Sequence, residues 1–448
     1  MEFHPEKDLC SFGDEEKSKT NLPQSLCFST HQRVSEHNVE LASARPSSAS
    51  ATSISSQPMS PKTPWLLSPV RLSPSPPLLY HCLASLHRQE GNIFSITVSK
   101  DFVFTGSESS RIHAWKQPDG TDMGYIKANS GQVRAILAQG KMLFTSHGDY
   151  RIRIWHLPLV ENFIAKKITT LPPRSPFFFF PRKTIHQHRD HISCLAYNQE
   201  DKLLYSGSWD KTVKVWKVSE KSCIDSFVAH DGHVNVIVVN QEDGCVFTCS
   251  SDGSVKIWRR VYGENSHILT TTLRFQLSPV NALALSLSSS NCLLYSGSTD
   301  GLINFWEKEY LYGRYNHGGF LQGHHFAVLC LVAIGDLIFS GSEDATIRVW
   351  RRQEENCFHS CLSVIEGHHG PVRCLAVSLV KDEVLKGLLV YTASLDQTFK
   401  VWRVKVFPTE NGNKESTPQK RDITESEMSP INPTYHKPRM ADQIPINL

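Results

Sequence analysis

Between Tyr80 and Phe407 the chain alternates apolar and polar residues in short runs, with a period of two rather than 3.6. Seven of these runs close on a tryptophan: RIHAW, RIRIW, TVKVW, SVKIW, LINFW, TIRVW and TFKVW, ending at Trp115, Trp155, Trp216, Trp258, Trp306, Trp350 and Trp402. Alternation with β-branched residues places successive side chains on opposite faces, so these are strands and not helices. Upstream of each lies a second apolar run that ends in hydroxyl and small residues: FVFTGS, MLFTSH, LLYSGS, CVFTCS, LLYSGS, LIFSGS and LVYTAS. The tryptophans are 40, 61, 42, 48, 44 and 52 residues apart, close to the period of roughly 40–45 residues expected of a propeller blade.

A unit of this kind is one small sheet whose apolar face a neighbour must cover. The pattern therefore predicts an all-β chain, a seven-bladed propeller over 78–407. Tyr80–Leu86 precedes the first unit as a spare outer strand, while the last unit ends at Trp402 and VKVF without a fourth strand of its own. The N-terminal strand is expected to complete the last blade, which also removes an exposed sheet edge. The 61-residue interval reads as carrying an insertion at about 157–183. There, Pro172, Pro173, Pro176 and Pro181 surround Phe177–Phe180 and argue against a strand inside the ring. The reading favoured for it is a loop folded back onto blades two and three, rather than an apolar loop offered to a partner.

Outside the repeats the composition changes. Residues 1–77, dominated by Ser and Pro from Ala42 onwards, and residues 408–448 have too little apolar periodicity to offset the entropy of ordering, and are expected to be disordered. Ser60, Thr63, Ser68, Ser73 and Ser75 each precede proline around Trp65, which makes them candidate phosphorylation sites. The formal net charge of the whole 448-residue chain is +3, too close to balance to imply nucleic acid or an anionic membrane as partner. Twelve cysteines without a C-x-x-C pair fit buried thiols better than disulfides or zinc. The N-terminus MEFHPEKDLC lacks an apolar stretch, and no apolar run approaches the length of a membrane span. The expectation is a soluble cytosolic or nuclear protein.

The polar residues of each unit recur in register. Six positions before the tryptophan stands Asp149, Asp210, Asp252, Asp300, Asp344 or Asp396, with Ser109 in the first unit. Ten before it stands Thr105, Thr145, Ser206, Thr248, Ser296, Ser340 or Thr392. Four units add a histidine before their first strand, His188, His230, His324 and His368; the others have Gln89, Asn129 and Gln276. Indole N–H, hydroxyl, imidazole and carboxylate can form one buried chain of donors and acceptors that stiffens the blade. The same residue types make a hydrolase triad, but four copies argue for architecture, since catalysis needs one set beside one oxyanion hole. No catalytic residue and no cofactor is predicted. The run His186–His191 offers no ligand set with metal spacing once His188 is committed to the blade, so no metal is predicted either.

Gly323-His324, Gly367-His368 and the Asp-x5-Trp units resemble WD repeats (WD40). The aspartate that usually follows the tryptophan is absent throughout, replaced by Lys116, His156, Lys217, Arg259, Glu307, Arg351 and Arg403. NSGQVRAI, FTCSSDGSVKIWRRVYGE and TASLDQTFKVWRV are similar to plant WD-repeat proteins of the JINGUBANG type, which implies an intracellular regulatory protein without enzymatic activity. The resemblance also implies which side chains ring the narrow top face: Phe94, Arg134, His191, His233, Asn235, Asn281, Leu329 and Arg373, with Glu108, Trp209, Thr299, Glu343 and Leu395. Among them Trp209 with Arg134 and Arg373 has the composition of a peptide-docking hot spot. The resulting expectation is a protein-interaction scaffold that takes other proteins, without small-molecule substrate. The alternative is a substrate receptor of a cullin-type ubiquitin ligase, against which Trp258-Arg259-Arg260 and Trp350-Arg351-Arg352 keep the arginine of the usual motif but lose its aspartate.

Overall fold

The computed structural model describes residues 78–87, 91–157, 165–173, 186–275, 277–287, 292–309, 311–353, 358–380 and 387–407. They form seven antiparallel sheets of four strands each. The first strand of every blade touches the first strand of the next, and the cycle closes between Val372–Val380 and Ile93–Val98. Six blades follow chain order. The seventh takes three strands from the C-terminal end of the ring and its outermost from Leu78–His87, which runs antiparallel to Thr398–Val406 with Leu86 opposite Phe399 and Leu78 opposite Val406. The ring is thus closed by the spare N-terminal strand, as its apolar pattern predicted.

The long interval before Trp216 requires a correction. Lys166–Leu171, inside the stretch read as an insertion, is the fourth strand of blade two and pairs with Ile152–His156. Pro172 and Pro173 follow its last residue, where the ladder no longer needs an N–H. Phe177–Phe180, the two terminal segments 1–77 and 408–448, and the candidate phosphorylation sites Ser60, Thr63, Ser68, Ser73 and Ser75 lie outside the described residues, as do Gln89 and Gln276.

The core is divided among the joins between blades. Seven apolar clusters occur among the described residues, one between each neighbouring pair. Each repeat tryptophan packs towards the preceding blade: Trp258 joins Leu203 and Tyr205, and Trp402 joins Leu337 and Phe339. Across the closing join Trp115 stacks on Phe399 with ring centroids 5.1 Å apart. One side chain therefore serves two blades, which is why a blade cut from the ring would expose an indole.

Three joins carry an added polar latch. Where blades three, five and seven have Tyr205, Tyr295 and Tyr391 in the second strand, the hydroxyl reaches the next blade: His267 Nε2 at 3.1 Å, His359 Nε2 at 2.9 Å and Gln117 Oε1 at 3.0 Å. His267 Nδ1 lies 2.7 Å from Asp225 Oδ2, so it donates there and leaves Nε2 to accept from Tyr205.

Candidate interaction face

In blades three, four, six and seven the polar residues assemble as one chain. His188 Nε2 lies 2.8 Å from Ser206 Oγ, which also accepts from Trp216 Nε1 at 2.9 Å, while His188 Nδ1 lies 3.0 Å from Asp210 Oδ2. The sets His230–Thr248–Asp252–Trp258, His324–Ser340–Asp344–Trp350 and His368–Thr392–Asp396–Trp402 repeat it, with imidazole-to-hydroxyl distances of 2.8, 2.7 and 2.7 Å. The carboxylate does more than receive the imidazole. Asp344 also accepts from Thr346 Oγ1 at 2.6 Å and from the backbone N–H groups of His325 and Thr346. It thereby ties the loop before the first strand to the turn after the second. Burial lowers the pKa values of His188, His230 and His368, against the pull of their aspartates. These histidines are neutral linkers with both nitrogens occupied, and leave no free base for chemistry.

Blade two solves the same problem differently. Asn129 replaces the loop histidine, and His147, two residues after Thr145, swings its Nε2 to within 2.8 Å of that hydroxyl. Thr145 still accepts from Trp155 at 2.8 Å. Asp149 turns instead to Arg153 in a two-pronged pair at 3.0 and 2.7 Å. Burial, then the charge of Arg153, push the His147 pKa down to about 3. The sequence signal was present in MLFTSH, whose final histidine stands where every other blade has Ser.

The first strand of each blade carries a β-bulge immediately after its first residue. The bulged residues are Phe94, Arg134 with Ala135, Ser193, Asn235, Asn281, Leu329 and Arg373. A bulge re-aims a side chain, and here all seven positions line one cavity of about 350 Å³ at the axis. Trp209, on the turn between the second and third strands of blade three, joins them there. Its backbone N–H donates to His191 O at 2.9 Å, which fixes the turn against the neighbouring loop.

The ring is aromatic and basic on one side. The Arg134 guanidinium lies over the Trp209 ring at 4.5 Å and over the Phe94 ring at 5.0 Å. Tyr150, His191, Trp209 and His233 follow one another edge to face or tilted, with centroids 5.2–5.4 Å apart, and His233 Nδ1 donates to Trp209 O at 2.9 Å. Burial and then the nearby Arg373 lower the Arg134 pKa, and the guanidinium stays charged at neutral pH. Trp209, Phe94, Arg134 and Leu329 are half-buried, Arg373 and Glu343 are exposed, and Leu395 keeps 40% of its surface.

Two of the predicted docking residues are partly committed. Asn235 Nδ2 donates to Val280 O at 2.8 Å and Asn281 Nδ2 to Val328 O at 3.2 Å, so these amides staple each first strand to the next. Ser193, which the sequence reading did not single out, does the same towards Val234 O. Its place directly after Ile192, equivalent to Asn235 after Val234, was the available signal. Tyr150 and the exposed Phe326 were also missed, because they lie on turns whose orientation the repeat spacing does not fix. No group of three or more His, Cys, Asp or Glu among the described residues is arranged to hold a metal ion. Cys194 and Cys374 are buried, their thiols pushed up to about 12 by that burial.

Comparison with known proteins gives the repeats a name. The family model described as "WD domain, G-beta repeat" matches residues 179–217, 221–259, 268–307, 316–351 and 359–403. Five stretches of the chain match the WD40 repeat. The matched stretches contain the tryptophans of blades three to seven; the first two blades are those with Ser109 in place of aspartate and His147 in place of the loop histidine. WD40 propellers typically bind other proteins and are typically not enzymes. The chain is 25% identical to mouse transducin beta-like protein 3 over 153 residues, 32% of this chain and 19% of that protein. It is 27% identical to zinc finger CCCH domain-containing protein 59 of Arabidopsis thaliana over 142 residues, 32% of this chain and 26% of that protein. It is 22% identical to WD repeat-containing protein pop1 of Schizosaccharomyces pombe over 186 residues, 33% of this chain and 23% of that protein. The aligned stretches thus cover about a quarter or less of these relatives.

Proposed function

We propose that the protein is a non-enzymatic scaffold or adaptor that docks a peptide segment of another protein on the channel mouth, around Trp209, Arg134 and Arg373. The observation that carries this reading is the stacked Arg134–Trp209 pair beside the cavity, 4.5 Å apart and half-buried. Tryptophan and arginine dominate interface hot spots because they bring large, pre-ordered contact surface together with donors. The WD40 repeats support the general class, since their polar residues are used up in holding the blades and leave outward surfaces for recognition. We further infer an intracellular regulatory role, in cytosol or nucleus, of the kind expected for the plant WD-repeat type; one of the relatives above is an Arabidopsis protein.

The test is affinity capture with the full chain, comparing wild type, Trp209→Ala combined with Arg373→Glu, and Tyr262→Ala. Tyr262 is 73% exposed on a hairpin turn at the opposite end of its blade and serves as control. The reading expects partners to be lost from the double variant and kept by the control. Retention of every partner by the double variant refutes it.

A further inference from the structure

We propose that the channel mouth receives an acidic side chain of the docked segment, an Asp or Glu carboxylate with apolar residues on either side, held between Arg134 and Arg373. This rests on the docking reading above and specifies its ligand. Arg134 comes from blade two and Arg373 from blade seven, yet both line the same cavity, and burial, then the charge of Arg373, lower the Arg134 pKa. Two like charges facing one half-buried space are unfavourable unless an anion joins them. Among the described residues neither guanidinium makes an ion pair, and Arg134 Nε is buried with no acceptor.

The geometry specifies the anion further. Phe94 and Trp209 lie against the Arg134 guanidinium, so its stacking capacity is used and its in-plane N–H edge is what remains. That edge matches the two oxygens of a carboxylate. A phosphate would fit the same fork but brings nearly twice the charge. Arg134 is already within electrostatic reach of Asp190 and Glu108, which balance part of its charge and disfavour a dianion more than a monoanion. The flanking apolar residues follow from the neighbours: Phe94, Trp209 and Leu329 line the mouth, and Leu395 is exposed on a turn at the same end.

The probe is a set of three fluorescein-labelled pools of capped octapeptides, with apolar residues around a fixed central Glu, Gln or phosphoserine. Binding to the full chain is read by fluorescence polarisation. The Glu pool should bind at least about tenfold more tightly than the Gln pool, as expected for a charge-assisted pair. Arg134→Met with Arg373→Met should erase that preference, and because Arg373 is exposed, Arg373→Met alone keeps the test if the double variant does not fold. Equal binding of Glu and Gln pools, preference for phosphoserine, or no binding of any pool overturns the proposal. Equal binding that Trp209→Ala abolishes overturns the acidic ligand but leaves docking at the mouth standing. Binding that survives Trp209→Ala and the arginine substitutions alike overturns both.

Discussion

Arg134 of blade two rests its guanidinium over the Trp209 ring of blade three, 4.5 Å from the centroid. The contact crosses a join between blades, yet both residues are half-buried at the rim and neither belongs to an apolar cluster there. A cation–π contact of this exposure is worth about 0.5–1 kcal/mol. Trp209→Ala should therefore lower the thermal midpoint by only a few degrees, measured by calorimetry, while leaving the far-ultraviolet spectrum unchanged. Unfolding of the variant at room temperature would show that Trp209 holds the ring together rather than serving its surface.

The opposite behaviour is expected directly beside an exposed position. Asp344 accepts from His324, Thr346 and two backbone N–H groups, whereas its neighbour Glu343 is exposed. Removing the carboxylate strands four donors in a largely buried place, at about 1–3 kcal/mol for each one that water does not reach. Asp344→Ala should cost about 3 kcal/mol or more in urea unfolding, and Glu343→Ala less than about 0.5 kcal/mol. Similar losses for the two would contradict the role given to the aspartate.

Acid should loosen the propeller in two overlapping stages. His147 has its folded-state pKa lowered to about 3, against 6.5 as the ordinary value. The folded protein therefore binds fewer protons there, its contribution is complete above pH 6.5, and it is lost as pH falls from about 6.5 towards 3. His188, His230 and His368 act in the same direction. Burial works against the Asp252 and Asp396 carboxylates, but hydrogen bonds, first from Ser254 and Thr398, outweigh it and hold both at about 2. Their contribution is complete above about pH 4 and is lost between 4 and 2. His147→Asn should reduce the slope of stability against pH between 6.5 and 4 by up to one proton, about 1.4 kcal/mol per pH unit. An unchanged slope would mean that His147 is already charged in the fold.

Closure of the ring has its own test in two adjacent residues. Leu78 is 4% exposed in the cluster with Trp402 and Val404, while Leu79 is 51% exposed on the other face of the same strand. Leu78→Asp should destabilise by about 3 kcal/mol or more, since an unpaired carboxylate would enter that cluster, and Leu79→Asp should be nearly neutral. Equal tolerance in thermal unfolding would indicate that the N-terminal strand does not seal blade seven.

Most of the architecture was readable because it repeats. Period-two runs ending on seven tryptophans set the number of blades, and the spare apolar run at Tyr80–Leu86 announced the closing strand. Repetition also misled. The fourth strand of blade two, Lys166–Leu171, starts with two lysines and ends against two prolines, so local composition hid a strand that pairing with Ile152–His156 creates. Within the candidate site, Arg134, Trp209 and Arg373 were legible as positions, but the stacking of Arg134 between blades was not, because sequence spacing carries no information about neighbours across a join. The commitment of Asn235 and Asn281 to backbone staples was hidden for the same reason, and so were the tyrosine latches, whose one-atom difference from phenylalanine matters only once the next blade is in place.

The measurement that bears most directly on the docking role is site-specific photocrosslinking of the full chain in its native extract. p-Benzoylphenylalanine would replace either Leu395, 40% exposed on a turn at the mouth end, or Tyr262, 73% exposed on a turn at the opposite end. Docking at the mouth predicts partner adducts from position 395 that disappear with Trp209→Ala and Arg373→Glu, and few or none from position 262. Adducts that form only from position 262, or that persist at 395 through both substitutions, would contradict it.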